Sequence, residues 1–441
     1  FAKERAGEYL GKTVQVIPHV TNEIKAAMTR PSKEPVDVAI AELGGTVGDI
    51  ESLPFLEAIR QIGFESGRQN VLYIHLTLIP YLRASQELKT KPSQQSVGKL
   101  REIGIQPDIL VCRTEKSITD EMRDKLAMFC NVKPEHVIEE KDVDFSIYEL
   151  PVIFSEQKLD QTIVNLLGLK CGENNIGAWR SMIERFKKTD EILPIVVVGK
   201  YLELQDAYKS IYEALTHGGI ANNVRLQINR VNSEDIEKQG AEKLLRNARG
   251  ILVPGGFGNR GIEGKIAAVK YARENKIPFF GICLGMQCAT IEFARNVLGL
   301  PDAHSSEFAP DTAHPVIDLM TEQRRITNLG GTMRLGAYPC KIKPNSLASK
   351  AYQTELVQER HRHRYEFNNN YKDQFTCKGF DIAGACAIND SQGKPVTDLA
   401  EIIELKDHPW FVGVQFHPEF KSKPINPHPL FRDFIKAALK R

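Results

Sequence analysis

Hydrophobic positions fall into short runs of β-branched and aromatic residues separated by segments with helical spacing. In the first half, Val36–Leu43, Asn70–Pro80, Asp108–Cys112 and His136–Ile138 read as strands, and Leu53–Ile62 and Asp120–Phe129 as helices. Strands alternating with helices predict a mostly parallel sheet covered on both faces. The pattern changes between residues 169 and 193. Gly172-Glu173-Asn174-Asn175 is turn-like, and a polar, helix-like stretch follows from Trp179 to Lys188. A second alternating unit opens at Ile195–Lys200. It continues with strands at Val224–Ile228, Gly250–Pro254, Pro278–Ile282 and Phe411–Gln415, and helices at Tyr208–His217 and Ile262–Asn275. The expected fold class is therefore α/β, with domains over 1–170 and 194–441 and a linker over 171–193.

Composition narrows the function classes. The 441 residues include 58 Lys+Arg and 56 Asp+Glu, a net charge of +2, with 42% hydrophobic and 26% charged residues. These values are those of an ordinary globular chain and give no global electrostatic reason to bind nucleic acid or an anionic membrane. Eight cysteines without a CxxC pair suggest free thiols in a reducing, cytoplasmic setting and no zinc site. No apolar run approaches the roughly 18 residues that span a bilayer. The richest, Val71–Leu82, is interrupted by His75, Thr77 and Pro80. The chain opens at Phe1 in what reads as the middle of a helix, so it is expected to lack its natural beginning.

The sharpest chemical signal is the apolar strand Pro278–Ile282 running into Gly281-Ile282-Cys283-Leu284-Gly285, with a helical pattern after it. This is nucleophile-elbow spacing with cysteine as the nucleophile. The helix N-terminus that follows favours a thiolate. A base is available in Gln415-Phe416-His417-Pro418-Glu419, just after another strand. Glu419 lies two positions on, where an extended chain would put it beside His417 to fix its tautomer. The turn Pro254-Gly255-Gly256-Phe257-Gly258 can supply an oxyanion site, with the amides of Gly256 and Leu284 as donors. Cys288, inside the elbow helix, reads as core.

The first half offers two polar loops. Glu42-Leu43-Gly44-Gly45-Thr46-Val47-Gly48-Asp49-Ile50-Glu51 combines glycines that let backbone amides approach phosphate with carboxylates suited to Mg²⁺. Lys89-Thr90-Lys91-Pro92-Ser93-Gln94 reads as a basic loop suited to a triphosphate and a base edge. Ala6–Thr13 nearly fits the spacing of a phosphate-binding loop, but no strand precedes it and the strand-like Thr13–Ile17 comes after it. It is not read as one.

Gly-Ile-Cys-Leu-Gly-Met-Gln, Pro-Gly-Gly-Phe-Gly and Phe-His-Pro-Glu resemble the class I glutamine amidotransferases from about Ile195 to the end. The resemblance implies a Cys283–His417–Glu419 triad that releases ammonia from glutamine through a glutamyl thioester. It also implies that Gly256, Leu284, Gly285, Met286, Gln287, Glu307 and Arg364 serve glutamine or its oxyanion. The basic run Arg360–Tyr365 that holds Arg364 is otherwise an ordinary solvated face.

Tyr9–His19, Glu42–Glu51, Ile50–Arg60 and Lys89–Gln94 extend the likeness to the CTP synthase family over essentially the whole chain. That family phosphorylates the uracil O4 of UTP with ATP and displaces the phosphate with ammonia. The resemblance implies Mg²⁺, activation by GTP, inhibition by CTP and a homotetramer. Residue by residue it implies Glu42 as a metal ligand and Asp49, Ile50 and Glu51 as a CTP-contacting segment. Lys89, Thr90, Lys91, Pro92, Ser93, Gln94 and Lys125 would form the UTP/CTP site, and Lys141, Asp142 and Val143 an ATP contact. Ammonia is expected to pass internally, since free ammonia is protonated and diluted in water.

Two departures stand out. The family's N-terminal Gly-rich phosphate loop, with its lysine and a second Mg²⁺-binding carboxylate, is not in this sequence, so the ATP site is expected to be incomplete. Thr321–Leu329 is shorter than the family pattern. Two alternatives stay open on sequence alone: a class I amidotransferase with another acceptor, and a non-catalytic nucleotide-sensing scaffold.

Overall fold

The structure is a computed structural model that describes residues 2–30, 36–200, 205–256, 258–319, 333–389 and 395–441. The chain divides into two compact units, Phe1–Arg180 and Ser181–Arg441. The division falls within the helix Gly177–Lys187, which occupies part of the stretch expected as a linker.

The first unit is built on three parallel strands in the order Ile74–Ile79, Ile109–Thr114, Val137–Lys141. The middle strand is buried at every position except Arg113, as a run of Ile, Leu, Val and Cys requires. The edge strand alternates, burying His75, Thr77 and Ile79 and exposing Ile74, Leu76 and Leu78. Helices Lys91–Glu102 and Asp120–Cys130 pack on this sheet, and Leu53–Glu65 packs through Leu56 against Leu100 and Ile105. Thr119 caps the last of them by accepting the Met122 N–H, and Asn131 ends it in the left-handed conformation.

Three sequence expectations change here. Val36–Leu43 is irregular and joins no sheet among the described residues, and Ile40 is 92% exposed. Apolar content alone does not make a strand; its backbone groups need a ladder partner. Thr13–Ile17 is likewise not a strand: irregular chain leads into one wide helical turn at Val16–Val20. Lys91–Gln94 is not a loop but the first turn of Lys91–Glu102, where Pro92 is tolerated because its missing N–H would have had no helical partner.

The second unit is a nine-stranded sheet. Five strands are parallel, in the order Arg225–Asn232, Ile192–Gly199, Gly250–Val253, Phe279–Ile282, Phe411–Val414. An antiparallel wing continues through Pro395–Leu405, Phe380–Asn389, Arg334–Ile342 and Leu356–His363. Gly250–Val253, Phe279–Ile282 and Phe411–Val414 are buried throughout and form the centre. On one face lies the helix Leu284–Asn296, with every residue from Leu284 to Ala294 buried. On the other, Phe431, Phe434 and Ile435 of the helix Pro429–Leu439 fill a core with Ile195, Leu252 and Phe280. The expected shortened segment Thr321–Leu329 lies outside the described residues.

Candidate active site

The site forms where the central parallel strands end. Phe279–Ile282 delivers Cys283, whose N–H donates to the Val414 carbonyl at 2.7 Å, and the helix begins at Leu284. Turning that fast forces Cys283 to φ 51° and ψ −102°, a conformation costly for any side chain. Glycines make the turn possible. A Cβ on Gly285 would come 2.0 Å from the Val253 carbonyl oxygen, and one on Gly281 2.8 Å from the Gly285 backbone.

His417 follows the strand Phe411–Val414. Its N–H donates to the Arg360 carbonyl at 2.7 Å, and its Nδ1 bonds Glu419 Oε1 at 2.7 Å. The pairing differs in origin from the strand alternation expected. Pro418–Lys421 is a tight helical turn, and the turn brings Glu419 back beneath the ring. Burial opposes a charge on His417, but the Cys283 sulfur and the Glu419 carboxylate outweigh it and raise the imidazole to about 10. The imidazolium is the state this geometry favours at His417. Gly255 makes room for it: a Cβ there would lie 2.9 Å from His417 Cε1 and 3.5 Å from Cys283 Cβ.

A cavity of about 130 Å³ opens beside the sulfur, lined by Cys283, Gly256, Leu284, Gln287, Glu307 and Arg364. These include five of the residues named for glutamine from the sequence. The other two are placed differently: Met286 is fully buried in the core, and Gly285 packs against Val253. Burial raises the Glu307 carboxyl, while Arg364 and Lys200 hold it down. The cavity thus offers both signs of charge, as an α-amino acid requires. A second cavity, of about 310 Å³, shares Gly256, Cys283 and Arg362 with the first and adds His417, Glu419 and Phe420.

Sequence reasoning missed three features. Gln415 is fully buried, and its Nε2 lies 3.7 Å from Cys283 Sγ while its Oε1 is 3.4 Å from Gln287 Nε2. Its place two residues before His417 was the available signal. Arg362 lines both cavities. In the antiparallel wing, Arg334 bonds Glu401 at 2.8 Å and Glu366 at 3.1 Å, and His361 bonds His363 at 2.9 Å, all buried. Cys288 is core, as expected, and burial pushes its thiol up to about 12.

In the first unit the named nucleotide residues gather in part. Lys89–Gln94 follow the Ile74–Ile79 strand, with Thr90 and Ser93 buried and Lys89 paired with Glu87. Lys141, Asp142 and Val143 close the Val137–Lys141 strand; Asp142 is held by Arg113 Nε at 3.0 Å and donates its N–H to Thr114 at 2.9 Å. Both groups lie at the carboxyl ends of parallel strands, where α/β sheets bind ligands. Lys125 is exposed on Asp120–Cys130. Glu42, Asp49, Ile50 and Glu51 are exposed around the Gly44–Gly48 turn, whose Leu43 and Val47 pack against Leu56, Leu100 and Ile105. Among the described residues no group of three or more His, Cys, Asp or Glu could by itself hold a metal ion, and no helix is long and apolar enough to cross a membrane.

Comparison with known proteins agrees with both halves. A family model described as CTP synthase N-terminus matches residues 1–169, and one for class-I glutamine amidotransferases matches 203–437. CTP synthases of Caldanaerobacter subterraneus subsp. tengcongensis and Moorella thermoacetica are each 57% identical, over 438 and 440 residues. The alignments cover 99% and 100% of this chain and 80% of each relative. Among solved structures, the glutaminase domain of Trypanosoma brucei CTPS with bound acivicin is 42% identical with a TM-score of 0.52, covering 56% of this chain and 94% of that one. A different acceptor and a non-catalytic scaffold are thereby set aside. The chain belongs to the CTP synthase family, enzymes that use ATP and glutamine-derived ammonia to aminate UTP to CTP.

Proposed function

We propose that Cys283, His417 and Glu419 carry the glutaminase half of this reaction. The Cys283 thiolate attacks the side-chain amide carbon of glutamine. Negative charge on the amide oxygen is met by the N–H groups of Gly256 and Leu284. The His417 imidazolium gives its proton to the leaving nitrogen, so ammonia departs and a glutamyl thioester remains. His417, now neutral, takes a proton from water as it attacks the thioester, and glutamate leaves with the thiolate restored. Glu419 orients the ring and stabilises its cation throughout. Glu307 and Arg364 would hold the α-amino and α-carboxylate groups, Gln287 lines the same wall, and Gly285 and Met286 build the elbow. The observation that carries this reading is the 2.7 Å His417–Glu419 bond beside a cysteine at φ 51°.

In the synthetase half, we infer that Lys89, Thr90, Lys91, Pro92, Ser93 and Gln94, with Lys125, receive the UTP triphosphate. The N-terminus of Lys91–Glu102 supports this, because its free N–H groups suit an anion. Asp49, Ile50 and Glu51 would contact CTP acting as inhibitor, and Lys141, Asp142 and Val143 would contact ATP. Mg²⁺ fits only as a partner of the nucleotide: it commonly takes one or two carboxylates plus phosphate oxygens and water, and Glu42 is the carboxylate named for it. Activation by GTP, a homotetrameric assembly and a cytoplasmic location belong to the same reading. The eight free thiols, six of them buried, support the last.

The test is labelling with a glutamine-like chloroketone followed by peptide mass spectrometry. A single adduct on buried Cys283, with loss of glutamine hydrolysis, is expected. Adducts confined to the exposed Cys171 and Cys377, with hydrolysis intact, would refute the assignment.

A further inference from the structure

Lys265 is an anomaly in the glutaminase unit. It lies on the helix Ile262–Glu274, is 0% exposed, and its Nζ has no hydrogen-bond partner among the described residues. Lysine is almost never fully buried without a partner, because stripping water from an ammonium is costly.

Its surroundings show where the charge points. A Cβ on Gly256 would lie 3.6 Å from Lys265 Nζ and 3.6 Å from Leu284 Cδ2. The ammonium therefore lies close against Gly256, one proposed oxyanion donor, in the space that the Leu284 side chain also borders. Beyond burial, Cys288 and then Cys283 favour its charge, and Lys200, whose Nζ donates to the Gly258 carbonyl at 3.2 Å, opposes it. The nearby carboxylates are otherwise engaged: Glu263 bonds Arg295 at 2.8 Å, and Glu237 accepts the Gly264 N–H at 2.9 Å. Burial lowers Lys265 to about 8, so the group is still mostly charged at neutral pH.

We propose that Lys265 is a positioning residue of the glutaminase reaction, a buried cation beneath Gly256 that favours negative charge on the Cys283 sulfur and on the oxyanion. The proposal rests on the reading of Cys283 as nucleophile and Gly256 as oxyanion donor. A fixed charge in a site closed to water acts more strongly than the same charge at the surface.

The experiment compares wild type with Lys265→Met, which keeps length and removes charge, and with Lys265→Gln as a polar second variant. Alkylation of Cys283 by iodoacetamide is followed against pH by peptide mass spectrometry, alongside glutamine hydrolysis and thermal melting. The alkylation midpoint is expected to rise by about one pH unit in both variants. The kcat for hydrolysis is expected to fall about tenfold with KM little changed, and melting of the Met variant should not fall. An unmoved midpoint in either folded variant overturns the proposal, as does failure of both to fold, which would make Lys265 a structural residue. If wild-type Cys283 itself resists alkylation while other thiols react, the nucleophile assignment fails first and the proposal with it.

Discussion

Cys283 occupies φ 51° because the chain must leave a buried strand and enter a buried helix within one residue. The strain is the cost of presenting a sulfur at the end of the sheet, and evidence of function when found at such a place. His417 gains its charge from its neighbours, the sulfur on one side and Glu419 on the other. Glu419→Gln keeps the shape of that contact and removes its charge. It should lower kcat for glutamine hydrolysis about a hundredfold while leaving KM for glutamine near its original value, measured by glutamate release. A change of less than about threefold would mean that Glu419 only fills space. Much of this was readable from residue order, since glycines flanking a cysteine after an apolar strand have few other uses. Gln415 and Lys265 were not readable: a buried amide and a buried ammonium carry no periodic signature, and only packing reveals them.

Elements explain why the parallel half of the second unit was foreseen and the antiparallel wing was not. Gly250–Val253, Phe279–Ile282 and Phe411–Val414 are apolar at nearly every position. Leu356–His363 instead buries Glu359, His361 and His363, so its inward face reads as polar. Val36–Leu43 shows the converse, an apolar run that has no ladder partner among the described residues. The turn glycines invite a direct comparison. Gly285→Ala would drive a methyl into the Val253 carbonyl, so the protein should lose its fold, seen as insolubility or a much lower melting temperature. Gly255→Ala crowds the His417 ring, which can shift, and meets Cys283 Cβ only at an ordinary contact distance of 3.5 Å, so the melting temperature should hold while hydrolysis falls at least tenfold.

The buried wing also sets a pH response. Burial raises Glu366 to about 8 and Glu401 to about 7, although Arg334 opposes the rise in each. Acids raised above their unfolded value contribute stability that is complete below about pH 4.5 and is lost as pH climbs through 7 to 8. His217, His361 and His408, lowered to about 4, 3 and 4, contribute in the opposite sense, but their effect is complete above about 6.5. The melting temperature should therefore fall between pH 6.5 and 8, with His417, raised to about 10, adding to the fall, and Glu401→Gln should lessen the slope in the lower part of that window. An unchanged slope in the variant would mean that Glu401 is already ionised at pH 6.5.

At the scale of the whole molecule, two units with separate cores divide one reaction. In the sequence, two alternating strand–helix runs are separated by a polar stretch. Within that stretch, residues 177–187 form an amphipathic helix with Met182 and Ile183 buried, where a polar reading of the sequence expected a linker. On the proposed assignment the division has a chemical consequence: Cys283, His417 and Glu419 would supply ammonia, and the amination itself would not use them. The most direct measurement is chromatographic detection of CTP formed from UTP, ATP and Mg²⁺ by the protein and its Cys283→Ala variant, with glutamine or ammonium as nitrogen source. CTP is expected from both sources in the parent protein and from ammonium alone in the variant. Equal loss of both activities in the variant, or CTP still formed from glutamine, would contradict that expectation.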